Sequence, residues 1–474
     1  MTRRIGGNSG DTGVGHIAYK LTDVGNAQRL VATHGRDIRW VARWKAWFVW
    51  DGRRWASDER GEVERRAKEC VRNLFAEAAT LDGEKRTALA LHAVKSEQAN
   101  RIDAMIRMAR SEPGVCISHD EFDDRPWHLT VRNGTVDLRT GALGPHDRLH
   151  LSTKIVDVDY DPDATCSVWR ATLDTLFASN QPLIDYLQRA IGYSMSGSTR
   201  EQVLHLCYGT GANGKSTVFD VLARLSGDYG LQADFSTFLD TGTNRGPTSD
   251  VARLAGARLV RSIEIGENKK LNEGLIKSLT GSDIVTARFL YSLEFEYKPQ
   301  FKLWLAANHK PVIRGTDYAI WRRIRLIPFE VTITPEQRDE TLPGRLHDEL
   351  SGILTWAIIG CQLWLLGGLQ PPESVLTATE DYRSESDVIG AFLEDECDAD
   401  HQYECSVSSL YSAYVRWSKD NGEYCMTATA FGRRLTERGH VVRKSNGVKL
   451  RGGLRLAHDR ATQSSANQSY GGHS

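Results

Sequence analysis

Residues Gly209-Thr210-Gly211-Ala212-Asn213-Gly214-Lys215-Ser216 space glycine, lysine and hydroxyl as G-x-x-x-x-G-K-[ST]. The chemistry this permits is phosphate binding. Glycines let successive backbone N–H groups converge on phosphate oxygens. Lys215 would bring a point charge to the β- and γ-phosphates, and Ser216 a hydroxyl to Mg²⁺. With Thr217, residues 209–217 form the candidate cofactor-binding set, and ATP with Mg²⁺ is the cofactor pair it fits. The bare pattern arises by chance, so its flanks matter. Val203–Tyr208 reads as a short apolar strand, and Thr217–Ser226 as a helix with Val218, Leu222 and Leu225 on one face and Gly227 as its stop. That helix points its partial positive charge at the loop.

Phosphate chemistry of this kind needs a carboxylate on a neighbouring strand. Leu259, Val260 and Ile263 give the segment from Arg258 strand character, with Glu264 at its end, where it would serve both catalysis and metal. Glu267 is a second candidate, or an exposed loop carboxylate. A third strand, Phe301–Ala307, ends in Asn308, whose amide can bond the γ-phosphate or the attacking water. Open α/β sheets place ligands at that strand edge. Arg322 and Arg323 follow, either as a surface patch or as a group stabilising transition-state charge on a neighbour's nucleotide.

Around these residues the chain divides by composition. Its 474 residues suit two or three domains. Charged residues make up 26% and hydrophobic ones 40%, a soluble globular balance. The formal net charge of -1 confines any nucleic-acid surface to local patches. Eight cysteines without a CxxC pair suit reduced thiols in the cytoplasm. No apolar run approaches the ~18 residues of a membrane span, and Ile353–Leu366 reads as a buried helix. Residues 1–21 read as a flexible tail, and 22–165 as an α+β domain. In it, a tryptophan-rich hairpin (40–55) forms a small aromatic core or stacks on bases. Residues 166–345 form the α/β core, 346–390 a helical bridge with an acidic linker, 391–458 a basic module, and 459–474 a disordered tail. Residues 380–404 hold ten acidic side chains and one basic, whereas 408–457 hold ten basic and three acidic.

GTGANGKST (209–217), RLVRSIEIGENKKLNEGLIKSLTGSD (258–283), FKLWLAANHKPVIRGTD (301–317) and WRRIRLIPFE (321–330) together resemble a superfamily 3 helicase. More narrowly, they resemble the helicase half of phage, plasmid and poxvirus-type primase-helicases. Segments 22–55 and 127–147 resemble the domain preceding that helicase. The resemblance implies an AAA+-like P-loop NTPase core. It makes Lys215 and Ser216 the Walker A ligands, Glu264 the Walker B carboxylate and Asn308 the polar sensor. Arg322 or Arg323 becomes the arginine finger, with Arg323 slightly favoured. With about 21 residues before the helicase-associated domain, a primase core is not expected here.

The resemblance also implies a hairpin, here Ile284–Tyr291 with Glu294–Tyr297, inserted in a ring's channel. Lys277, Arg288 and Tyr291 are the candidates there for single-stranded DNA. The C-terminal module resembles a winged helix. Val407–Lys419 and Thr427–Arg438 would be its helices, and Val441–Lys444 with Val448–Arg451 its wing. Arg433, Arg434 and Arg438, with Lys444, Lys449 and Arg451, would meet duplex DNA. The expected protein is thus an ATP-dependent homo-hexameric helicase of a phage or plasmid-type system, working in the host cytoplasm without a membrane. A separate primase or polymerase is a possible partner. The alternatives are an ATP-switched initiator that mainly binds DNA and a small-molecule P-loop kinase.

Overall fold

The computed structural model describes residues 19–240, 249–263, 269–289, 294–313, 318–423, 425–445 and 447–457. Its centre is a five-stranded parallel sheet: β1 (Leu204–Tyr208), β2 (Gly230–Gln232), β3 (Leu259–Ile263), β4 (Lys302–Ala307) and β5 (Ile324–Pro328). The spatial order is β5-β1-β4-β3-β2. Every residue of β4 is buried, as in a strand covered on both faces. The twofold alternation of side chains divides it between two cores. Trp304 and Ala306 join one, and Leu303, Leu305 and Ala307 the other.

The first core contains more than the expected central domain. The antiparallel meander His128–Val131, Gly134–Asp137, Ala142–Gly144 contributes Leu129, Val131 and Val136, all fully buried in it. The expected boundary at 165 therefore cuts through one hydrophobic core, and the meander belongs to the central body. The expected bridge is also corrected. Helix Leu350–Gly367 packs along helix Gln181–Met195 and buries Ile353, Leu354, Trp356 and Trp364. A Cβ on Gly192 would lie 2.1 Å from the Cys361 nitrogen, and one on Gly360 would lie 2.0 Å from the Gln188 carbonyl oxygen. Glycine at both crossing points lets the two backbones touch. Among the described residues, Leu350–Gly367 is the one helix long and apolar enough to cross a membrane, and most of it is buried in this core.

Two buried cations fasten the sheet to the end of helix Gln181–Met195. Arg258, just before β3, donates to the carbonyls of Met195 (3.0 Å) and Arg125 (2.9 Å) and lies over the Tyr229 ring. Lys302 donates to the carbonyls of Ser196, Ser198 and Gln300 and lies over Tyr193. Helix C-terminal carbonyls favour cations. Desolvation nevertheless lowers the Lys302 ammonium well below its usual range.

In the N-terminal region, helix Asp23–His34 is capped by the Thr22 hydroxyl accepting from the Gly25 N–H at 3.2 Å. Strands Ile38–Val41, Ala46–Trp50 and Trp55–Ser57 form the expected hairpin, extended by Cys116–Ile117. Helices Glu62–Ala79, Gly83–Ser96 and Ala99–Ala109 pack beside it.

The C-terminal module begins earlier than expected. Helix Val388–Glu396 places Ile389 and Phe392 in its core with Leu410, Tyr414, Phe431 and Leu454. Strand Cys397–Ser406 pairs with Val448–Leu456, which also pairs with Val442–Ser445. The acidic run is therefore structural rather than a linker. Asp398 meets Arg455 at 2.9 Å, Asp387 pairs with Arg438, and Glu404 lies 3.9 Å from Arg443. Helices Val407–Asp420 and Ala428–Glu437 lie where the sequence puts them.

Candidate active site

β1 ends at Tyr208, and the loop from Gly209 to Gly214 delivers Lys215 as the first residue of helix Lys215–Ser226. Gly211 (φ +109°) and Gly214 (φ +77°) adopt left-handed conformations, and a Cβ on Gly214 would stand 2.3 Å from Leu176 Cδ2. Ala212 also has positive φ (+47°), a strained state for a residue with a Cβ.

Lys215 is 7% exposed. Its ammonium donates to the Gly209 carbonyl and, at 3.1 Å, to Asn213 Oδ1. Asn213 Nδ2 donates in turn to the Phe329 carbonyl at 3.2 Å, joining the loop to the end of β5. Burial holds the Lys215 pKa below its ordinary value. Both acceptors are neutral, so an incoming anion would improve the lysine's surroundings.

The strand register aligns the other candidates. Ile263 of β3 is level with Ala306 of β4, and Ala307 with Tyr208 of β1. All three strands end at the edge where the loop begins. Asn308 follows β4 directly and lines one cavity of about 870 Å³ with Lys215, Ser216 and Thr217. Glu264 follows β3 in sequence, but Glu264, Glu267 and Tyr291 lie outside the described residues.

Sequence reasoning missed the far wall of this cavity. Arg338 and Arg345 line it from segment 333–345, where no spacing marks them. Ile333 donates its N–H to the Ala212 carbonyl at 2.7 Å, which brings this segment to the loop. Lys310 was also missed. It meets Glu385 at 2.6 Å and lies over the rings of Tyr208 and Tyr382, while the Tyr382 hydroxyl donates to the Pro311 carbonyl. These contacts join the segment after Asn308 to helix Glu373–Glu385, which leads into the C-terminal module.

The paired arginines stand elsewhere. They precede β5, whose first residue, Ile324, is level with Leu204 at the start of β1. They therefore lie at the opposite sheet edge from their own loop. Arg322 is exposed and donates to Gln202 Oε1 at 2.9 Å. Arg323 is 7% exposed and donates to the Ala319 carbonyl at 2.5 Å. The expected slight preference for Arg323 is unsupported by this burial.

Among the basic candidates, Arg288 is exposed beside the hairpin Val285–Ala287/Phe295–Tyr297, and Lys277 is half-buried on helix Glu273–Thr280. In the C-terminal module Arg433 is exposed, Arg434 lies 3.5 Å from Glu437, and Arg438 is engaged by Asp387. Arg451 is corrected as a wing contact. It is 4% exposed and donates to Thr436 Oγ1 and to the His440 and Gly432 carbonyls. Lys444 and Lys449 are both exposed and stand directly opposite each other on the terminal hairpin.

Comparison with known proteins finds partial matches along the chain. Residues 27–178 match a family described as D5 N terminal like, and residues 384–446 one described as poxvirus D5 protein-like. A mimivirus (Acanthamoeba polyphaga mimivirus) protein provisionally named a helicase is 28% identical over 327 residues, 63% of this chain and 34% of its own length. An African swine fever virus protein provisionally named a primase is 26% identical over 215 residues, 43% of this chain and 22% of its own length. In these parts the chain is similar to proteins provisionally named helicases or primases in large DNA viruses. The chain spans about a third or less of the length of those curated relatives. Its residues 207–323, which hold the loop and β3, β4 and the arginine pair, also match a family of unknown function. The apo structure of the NrS-1 C-terminal region has a similar fold, with a TM-score of 0.50 at 11% identity over 92% of this chain and 99% of that one.

Proposed function

We propose that this chain is an ATP-dependent DNA helicase of the superfamily 3 type, working as a homo-hexameric ring in viral, phage or plasmid-type DNA replication. The observation that carries the reading is the cavity shared by Lys215, Ser216, Thr217 and Asn308 at the carboxyl edge of the parallel sheet. This is the edge at which open α/β sheets take ligands, and the loop at its floor has the Walker A spacing.

In this reading Lys215 leaves its neutral acceptors for the β- and γ-phosphates. Asn308 orients the attacking water, and Glu264 accepts its proton as NTP and water become NDP and phosphate. The site suits Mg²⁺, whose bound charge would offset that on the phosphate oxygens, with Ser216 and Glu264 as its protein contacts. Arg322, exposed at the opposite edge, would serve the nucleotide of the neighbouring subunit.

The last module is read as a winged helix that contacts duplex DNA. Lys444 and Lys449 support this, because like charges directly opposite one another destabilise a hairpin unless an anion offsets them. Arg433 and Arg434 on helix Ala428–Glu437 would add phosphate contacts, while Arg438 and Arg451 hold the module together. The test is phosphate release with and without single-stranded DNA. Strong stimulation supports the helicase. Nucleotide-dependent assembly with negligible turnover would favour an initiator, and turnover indifferent to DNA would favour a kinase.

A further inference from the structure

The notable feature outside the cavity is the tip of the N-terminal hairpin. Strands Ile38–Val41 and Ala46–Trp50 are joined by a tight turn, with the Lys45 N–H donating to the Ala42 carbonyl at 3.2 Å. The turn presents Arg43, Trp44 and Lys45, all exposed. Other tryptophans of this region are packed inward: Trp55 is fully buried and Trp40 is 9% exposed. Trp44 is 47% exposed.

Its ring is nevertheless held in place. Phe122 lies parallel to it at 6.2 Å, Phe48 is tilted against it at 5.6 Å, and His119 meets it edge-on at 5.7 Å. An aromatic ring supported in this way and still open to solvent is a preformed stacking surface.

The tip also touches the central body. The Arg43 guanidinium lies over the Phe295 ring at 5.9 Å, and Phe295 stacks on Phe289 at 5.6 Å. Phe289 is 44% exposed and is adjacent to the exposed Arg288. Trp44 and Phe289 are thus two open aromatic rings from separate parts of the chain, joined through Arg43 and Phe295, with Arg43, Lys45 and Arg288 alongside. Asp120 is an acidic group within electrostatic reach of Arg43.

We propose that Arg43, Trp44 and Lys45 form, with Arg288 and Phe289, one continuous surface for single-stranded DNA, on which a base stacks against Trp44. Alternating open rings and cations suit a strand whose bases are unpaired and whose backbone is charged, and they do not suit a paired duplex. The N-terminal hairpin then lengthens the path of the strand beyond the central hairpin. The proposal rests on the helicase reading and adds a site to it.

The test uses the full chain, without nucleotide, and a fluorescently labelled oligo(dT), with binding followed by anisotropy. Trp44→Ala should weaken binding by about 5- to 150-fold, the range for loss of one stacked base, and Trp44→Phe should restore most of it. Arg43→Ala with Lys45→Ala should make the plot of log affinity against log salt shallower by about 1.4, from two lost contacts at ~0.7 each. The melting temperature of each variant shows whether it has folded. Should Trp44→Ala prove unfolded, photocrosslinking of wild type to a bromodeoxyuridine-substituted strand and mapping of the peptide decides instead, with Trp44 as the expected site. Wild-type affinity in folded Trp44→Ala, or crosslinks absent from residues 43–45, would overturn the proposal alone, provided Arg288→Ala still weakens binding. Failure of the wild type to bind the oligonucleotide would overturn it together with the helicase reading.

Discussion

Two inactive variants of this protein should restore each other's activity. Lys215→Ala removes the charge at the phosphates and leaves Arg322 in place, whereas Arg322→Ala does the converse. Ile324 is level with Leu204, so the arginine pair enters the sheet at the start of β1. The loop begins five residues further on at Gly209, about 17 Å at roughly 3.3 Å per strand residue. One arginine side chain does not extend that far, so Arg322 can act only on a neighbour's nucleotide. In an equal mixture with random exchange, about one interface in four pairs an intact pocket with an intact finger, and a finger contributes on the order of 10³–10⁵ in rate. Phosphate release should therefore rise toward about a quarter of wild type, at least ~100-fold above either variant alone. Arg323 should stay native in this experiment, because its burial gives it a structural part. The assay is phosphate release after subunit exchange, with mixed rings verified by native mass spectrometry. No recovery in verified mixed rings, or full activity in a strictly monomeric species, would refute the trans arrangement.

Further outcomes follow from the same geometry. Glu264→Gln should bind nucleotide with near-native affinity and hydrolyse it poorly, as read by equilibrium binding beside turnover. Lys444→Ala with Lys449→Ala should weaken duplex binding at low salt, with the difference fading as salt rises, and should raise the melting temperature slightly by removing like-charge repulsion. Gly360→Val should lower stability by about 1–3 kcal/mol or more in denaturant titration, since its side chain would enter the Gln188 backbone. His205 is fully buried, bonded to the Tyr186 hydroxyl, and desolvation lowers its pKa to about 3. The unfolded chain therefore binds the extra proton between pH ~6.5 and ~3, and stability should fall with acid by up to about 1.4 kcal/mol per pH unit across that window. His205→Gln should flatten that limb.

What the sequence revealed follows the range of each interaction. The loop, β1 and the helix after it are set by neighbours in sequence, so glycine spacing and apolar periodicity sufficed. Asn308 was legible because strand ends in a parallel sheet share an edge. Long-range packing was not legible. The contact of helix Leu350–Gly367 with Gln181–Met195 depends on Gly192 and Gly360, two glycines far apart in the chain. The acidic run at 380–404 looked like a linker because its partners, Arg438, Arg443 and Arg455, come from strands and helices that fold back on it. Arg451 sits in a basic stretch like its neighbours, and only the fold turns it inward. Arg338 and Arg345 carry no motif, and reach the cavity because tertiary packing brings them there; Lys310 lies within the segment 301–317, but its partners Tyr382 and Glu385 come from a distant helix.

The central claim is that hydrolysis at the Lys215 site drives strand separation. The most direct measurement is displacement of a labelled strand from 3′- and 5′-tailed duplexes by the wild type and by Lys215→Ala, each with ATP and Mg²⁺. The account predicts displacement by the wild type on one tail polarity, dependent on hydrolysable nucleotide, and none by Lys215→Ala at the same DNA occupancy. Equal displacement by both proteins, or none by a wild type that hydrolyses ATP rapidly on DNA, would contradict it.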